Sequence, residues 1–155
     1  MPIIVCNIVE VCVFSFDNSE PSYLMLRRSK SEKLYPDAWQ TVTGSMEAGE
    51  TPMQSALREL KEETGYTPQK LWVVPLVNTF YSVRQDAINH TVVFAAQVPS
   101  TSVPILSKEH HQFLWCSINK AKELCVWPGQ RKALEIVHEF IVRGKQAAEF
   151  SEIAL

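Results

Sequence analysis

The chain lacks the features that define several broad protein classes. Nowhere do apolar residues run unbroken for the roughly 20 positions that a bilayer-spanning helix needs. The opening Met1-Pro2-Ile3-Ile4-Val5 has no basic lead and is broken by Asn7 and Glu10, so it reads as a strand and not as a signal peptide. Cys6, Cys12, Cys116 and Cys125 form no CxxC pair and no close Cys/His spacing, which argues against a zinc site or a dithiol redox motif. Cys6 and Cys12 lie in an apolar run and read as thiols packed in a core. Charge of one sign is also missing. Fifteen Lys and Arg against 17 Asp and Glu give a formal net charge of −2, which argues against a broad basic face for duplex nucleic acid. Internal repeats and linkers are absent as well. These absences lead to the expectation of a cytoplasmic protein with neither nucleic acid nor membrane as partner.

What is present describes a packed domain. The 155 residues are 46% hydrophobic and 21% charged, ordinary values for one globular unit, here expected to span residues 1–155. Ile3 to Phe16, rich in Val, Ile and Phe, reads as one long or bent strand. A turn cluster at 17–21 leads to a second strand from Tyr23 to Arg28, giving a hairpin, and then to a polar loop over 29–37. Trp39 to Val42 reads as a short strand running into Gly44. Thr51-Pro52 opens a helix that Gly65 closes. Leu71–Ser82 and Ile88–Val98 read as strands joined by a polar loop, and Phe113–Cys116 as a short strand. Ile118–Leu124 reads as a short helix and Pro128–Arg143 as a longer one, with Ala133, Leu134, Val137, Phe140 and Ile141 on its apolar stripe. The last dozen residues read as a frayed tail. This order gives an α+β domain with a sheet between helices.

The chemistry lies between Gly44 and Tyr66. At about 100° per residue, Glu59, Glu62 and Glu63 fall on one helix face at roughly 0°, 300° and 40°. Met53, Leu57, Leu60 and Thr64 gather near about 130° and face the core. Like charges stacked at i, i+3 and i+4 destabilise a helix, so a compensating charge is expected. Arg58 supplies part of it, and a divalent cation would supply more. An all-oxygen carboxylate cluster suits Mg²⁺, or Mn²⁺ in its place, and these ions also bind substrate phosphates. Gly44 lets backbone approach a metal or a phosphate closely. The expectation from residues alone is metal-assisted attack of water on a phosphate chain.

Gly44, Glu50, Arg58, Glu59, Leu60, Glu62, Glu63 and Gly65 match the Nudix signature at every charged and glycine position. Its last position, usually aliphatic, is Tyr66. Seven fixed positions coincide by chance on the order of once in 10⁸ trials. The chain thus resembles the Nudix hydrolases. The resemblance implies an α/β/α sandwich with a mixed sheet. It also implies Glu59, Glu62 and Glu63 as metal ligands, Glu50 in support, Arg58 salt-bridged to the helix carboxylates, and the backbone carbonyl of Thr43 as a further ligand.

The flanks, Trp39-Gln40-Thr41-Val42-Thr43-Gly44-Ser45 and Glu109-His110 with Phe113 and Trp115, resemble the dihydroneopterin triphosphate and dATP pyrophosphohydrolase branch. In that branch the position of Glu109 can serve as an extra ligand or general base; the alternative is a surface loop glutamate. Arg27 and Arg28 end a strand and face opposite sides; Arg27 is assigned to substrate phosphate and Arg28 to solvent. Trp39, by stacking, and Tyr81 are the other substrate-binding candidates, with core packing as the competing role for Trp39. Arg84 borders the same loop as Tyr81. His90 reads as structural, His110 and His111 as at most supporting, and Trp127-Pro128 as a helix cap. The expected reaction is Mg²⁺-dependent cleavage of a nucleoside or pterin triphosphate to a monophosphate and pyrophosphate, by a monomer or homodimer acting on a small phosphorylated molecule. The alternatives are hydrolysis of dinucleoside polyphosphates or nucleotide sugars, and a non-catalytic nucleotide-binding module.

Overall fold

The computed structural model describes residues 1–17 and 19–155; Asn18, in the expected turn, lies outside them. Val-, Ile- and Phe-rich Ile3–Asp17 forms β1, and Glu20–Arg28 (β2) returns antiparallel to it, Phe14 opposite Tyr23. The expected single strand at 39–42 is two pieces. Trp39–Gln40 (β3) pairs with β2, and Val42–Ser45 (β4) pairs with β1, Glu10 opposite Thr43 and Val9 opposite Gly44. Lys70–Ser82 (β5) and Ala87–Gln97 (β6) are antiparallel, and β6 runs parallel to β1 from Ile3–Ala87 to Phe14–Gln97. The third short strand begins earlier than expected: His110–Cys116 (β7) pairs with β2. The result is a mixed eight-stranded sheet with β1 near its centre.

Side chains alternate across β1, and each face has its own core. Val9, Val11 and Val13, with Leu24, Leu26 and Val42, pack against Ala56 and Leu60 of the helix Pro52–Thr64 (α1). Cys12 and Phe14, with Tyr23, Met25 and Trp72, pack against helix residues Ala121, Ala133, Leu134 and Val137 on the opposite face. This is the expected α+β sandwich, and β1 contributes to both cores.

The helices differ from the sequence reading in detail. Ile118–Leu124 (α2) is as expected. The longer helix is α-helical only over Pro128–Ile136 (α3) and widens to π-helical turns over Val137–Val142. Widening moves Phe140 off the apolar stripe, leaving it 48% exposed. The expected frayed tail is ordered: Gln146–Ser151 forms α4, and Glu152–Ile153 (β8) pairs with Leu71 and Trp72 of β5. Cys6 is exposed, not packed in the core, because the first residues of β1 extend beyond the helices that cover the rest of the strand. Among the described residues, no helix is long and apolar enough to cross a membrane.

α1 carries its own start and stop signals. The Thr51 hydroxyl accepts from the Gln54 amide while the Gln54 side chain accepts from the Thr51 amide, a capping box. Gly65 closes the helix at φ 76°, its N–H donating to Lys61 O at 2.8 Å. A side chain at that φ is strained, and its Cβ would also meet Ile105 Cβ at 3.2 Å. Gly65→Ala is therefore expected to destabilise the fold by about 1–2 kcal/mol, measured by thermal unfolding. An unchanged midpoint would show that this cap does not limit stability.

Candidate active site

α1 and β4 bring the signature residues together. Gly44 lies under the Glu59 carboxyl group so closely that a Cβ there would stand 1.9 Å from Glu59 Cδ. Glycine at 44 thus leaves room for the Glu59 carboxyl group in this position. Glu59 is mostly buried, and burial pushes its carboxyl upward in pKa against the pull of the Arg58 guanidinium.

Arg58 is the hub of the helix face. Its Nε and Nη2 donate to the two oxygens of Glu50 at 2.7 and 2.9 Å, a bidentate pair across the loop. Its Nη1 donates to Glu59 at 2.8 Å and to Glu62 at 3.3 Å, and its Nη2 also donates to the carbonyl of Ser45 at 2.9 Å. Arg58 and the Glu47 amide together hold Glu50 down to about 2. The expected compensating cation is therefore present, and it ties the loop before α1 to the helix.

Glu63 stands apart from this network. It is buried, and neither of its carboxylate oxygens has a hydrogen-bond partner. Desolvation, and then the charges of Glu59 and Glu109, raise its carboxyl well above the ordinary range, against a lowering influence from the Thr43 backbone amide. The charge of Glu109, from a separate segment, acts on both Glu59 and Glu63, so this segment lies near the helix carboxylates. His110 is also buried. The Gln40 side-chain amide donates to His110 Nε2 at 3.0 Å, so the ring proton sits on Nδ1, 4.0 Å from Glu63 Oε2. Desolvation lowers His110 to about 4, so the ring is neutral.

The carboxylates do not converge as they stand. Glu62 is 57% exposed, and among the described residues no three His, Cys, Asp or Glu side chains are assembled as a metal cage. Arg58 draws Glu59 and Glu62 to itself, and Glu63 is not bonded into that network. The donor set still fits a hard divalent cation: oxygen ligands, a buried carboxylate with both oxygens free, and the backbone carbonyl of Thr43 at the glycine turn.

The solvent assignment of Arg28 requires correction. Arg28, expected in solvent, is mostly buried on the strand face of Leu24 and Leu26; its guanidinium donates to Glu32 at 3.2 Å and to the Leu34 carbonyl at 2.9 Å, and its charge acts on Glu63 from there. Arg27 is on the opposite face, bonded to Asp37 and Gln112 and lying 5.7 Å from the Trp39 ring. Trp39 packs against the α3-side core, the role that competes with stacking. Tyr81 joins neither: it pairs across from Ile88, on the α1 side at the far end of the sheet, and its hydroxyl donates to Asp86. Its expected place in the pocket fails because β5 carries it past the site. His90 hydrogen-bonds across the β5–β6 pair to Thr79 at 2.9 Å.

The sequence reading missed a buried polar cluster on the α3 face of the sheet. Glu10 is 2% exposed on the α3 face, accepting from Thr41 Oγ1 at 3.0 Å and Asn78 Nδ2 at 3.1 Å. Burial raises it to about 7 despite these bonds. The signal available was its parity: Glu10 shares a strand face with Cys12 and Phe14.

Residues 7–136 match the NUDIX domain family. The chain belongs to the Nudix family. An octanoyltransferase of Myxococcus xanthus is 33% identical over 82% of the chain, which spans only 35% of that protein's length. A dihydroneopterin triphosphate diphosphatase of Haemophilus influenzae is 30% identical over 76% of the chain and 79% of its own length. An asymmetrical bis(5'-nucleosyl)-tetraphosphatase of Mus musculus is 27% identical over 81% of the chain and 84% of its own. The structure of the Escherichia coli dihydroneopterin triphosphate pyrophosphohydrolase is similar at a TM-score of 0.71 and 27% identity, covering 88% of this chain and 95% of that one. This Nudix protein is a hydrolase of phosphoric anhydride bonds in small phosphorylated molecules, related to the dihydroneopterin triphosphate branch.

Proposed function

We propose that this Nudix hydrolase is a Mg²⁺-dependent pyrophosphohydrolase that cleaves a nucleoside or pterin triphosphate between the α and β phosphorus atoms. The observation that carries the metal site is Glu63, a buried carboxylate with two free oxygens beside Glu59 on the Gly44 turn. The branch is supported by the matched flanks and by the 30% identical Haemophilus relative.

Glu59, Glu62, Glu63 and Glu109, with the Thr43 carbonyl, would hold the ion. When bound, it supplies neutralisation of phosphate charge and acidification of water. Arg58 keeps Glu59 and Glu62 on one helix face and clamps the loop through Glu50, and these carboxylates would turn from the guanidinium toward a bound ion. Glu109, in its own segment near the helix carboxylates, would take the proton of the attacking water. Water oxygen bonds to phosphorus, the bridging P–O bond breaks, and pyrophosphate leaves. The neutral His110 ring keeps its Nδ1 proton toward Glu63 and fixes that wall of the site.

Incubation of the purified chain with Mg²⁺ and a panel of dihydroneopterin triphosphate, nucleoside triphosphates, diadenosine tetraphosphate and ADP-ribose tests this. Pyrophosphate and a monophosphate from a triphosphate is the expected result. Activity confined to diadenosine tetraphosphate would move the substrate to the second reading, favoured by the Mus musculus relative. Absence of turnover across the panel would overturn the proposal.

A further inference from the structure

The polar cluster on the α3 face has no part in the chemistry above. Burying a carboxylate is costly unless its oxygens are satisfied, and a neutral side chain at 10 would pack the same space. Glu10 is nonetheless buried, with Thr41 and the Cys12 thiol donating to its Oε1 and Asn78 to its Oε2. Next to it, Gln130 is 8% exposed and its Oε1 has no partner, while its Nε2 donates to Thr43 Oγ1 at 3.4 Å. Gln130 lies in the first turn of α3, which comes close to the sheet because Gly129 has no side chain: a Cβ there would meet Asn78 at 3.0 Å. One small region therefore holds several acceptor oxygens, one of them a buried acceptor without a donor.

Its place ties it to the reaction. Thr43 links the two sides of β4: its hydroxyl touches Gln130, and its backbone amide acts on Glu63. The outer rim is aromatic. Trp127, immediately before α3, packs edge-on against Tyr35 with ring centroids 4.8 Å apart, and both are substantially exposed. A flat ring held against this rim would point its polar edge at Glu10 and Gln130 while its phosphate chain passed over Gly44.

Resting on the proposed function, we infer that Glu10 and Gln130 select the ring of the substrate: a heterocycle with two adjacent N–H donors, the 2-amino-4-oxo edge shared by guanine and pterins, over adenine. The ring N–H replaces the Asn78 amide on Glu10 Oε2, and the neighbouring amino group reaches Gln130 Oε1. Adenine would set a ring acceptor against the carboxylate and leave one protein acceptor unpaired.

The test is the dissociation constant for α,β-methylene GTP against α,β-methylene ATP with the full chain in Mg²⁺, which needs no turnover. The GTP analogue is expected to bind at least about fivefold more tightly, the lower end of a bidentate base contact. Glu10→Gln is expected to bring the two within about twofold. A wild-type preference for the ATP analogue, no preference, or a ratio unmoved in Glu10→Gln would overturn the inference. Should Glu10→Gln fail to fold, Gln130→Leu is expected to narrow the same ratio, and an unchanged ratio there is equally decisive. Selective binding without hydrolysis of any triphosphate would sink the proposed function and leave this inference standing; hydrolysis without selectivity would do the reverse.

Discussion

Glu63→Gln lowers turnover by at least about a thousandfold, the several kcal/mol that one metal ligand supplies to a phosphate-cleaving site, while the metal-free protein becomes harder to melt. The two effects share one cause. Glu63 is buried without a partner for either oxygen, so its charged form is useful to a cation and costly without one. Its folded pKa lies above the unfolded value of 4.5. The folded state therefore holds the extra proton, and the stability it contributes is present below 4.5 and lost as pH rises toward the folded value. Glutamine imitates the protonated form, so the gain in melting temperature grows from pH 5 to pH 8. Glu10, raised to about 7, acts in the same direction between 4.5 and 7. His110 opposes both: lowered from 6.5 to about 4, it contributes stability above 6.5 that is lost as pH falls through 4. Steady-state kinetics with Mg²⁺ and melting of metal-free protein at both pH values test the pair. Turnover near wild type would remove Glu63 from the mechanism, and a pH-independent melting difference would remove the desolvation argument.

Gly44→Ala is the second large effect, and it falls on rate more than on fold. The added methyl would lie 1.9 Å from Glu59 Cδ and 2.1 Å from Oε1. Backbone at 44 is held in the β1–β4 ladder opposite Val9, so the carboxyl group moves instead. Displacing it by an ångström or more costs on the order of a hundredfold in rate and pulls Glu59 from the Arg58 guanidinium. Because the displaced group is the end of a flexible side chain, the fold survives. Gly49→Ala gives the contrast. No atom lies within 4 Å of its Cβ, but its φ is +86°, so it is expected to lose stability and keep most of its rate. Kinetics and melting of both variants decide the matter; a fully active Gly44→Ala would mean that Glu59 works from elsewhere.

The helix and its carboxylates were legible because their information is local. Spacing along one helix puts Glu59, Glu62 and Glu63 on a face, and Arg58 lies within reach by the same geometry. Residues placed by the sheet were not. Which of Arg27 and Arg28 lies on the side of the carboxylates depends on which face of β2 α1 covers, and the adjacent pair carries no sign of that. Tyr81 read as pocket-lining because it borders a loop, but strand length decided where that loop went. Glu10 was passed over as an interruption in an apolar run; its burial is visible only once both faces of β1 are known to be covered. The tail read as frayed because a two-residue strand has no periodicity, and β8 exists by pairing with β5.

The parallel pairing of β1 with β6 bears on the order in which the molecule assembles. Ile3 meets Ala87 and Phe14 meets Gln97, so the strand that carries the floor of the catalytic turn pairs with a strand from the later half of the chain. The β1–β2 hairpin and the signature helix have local contacts and can form early, whereas distant parallel pairing must first overcome loop-closure entropy. During synthesis the Nudix helix therefore leaves the ribosome well before its supporting sheet is complete. Competence for catalysis arrives late, when β6 docks and both faces of β1 are covered together.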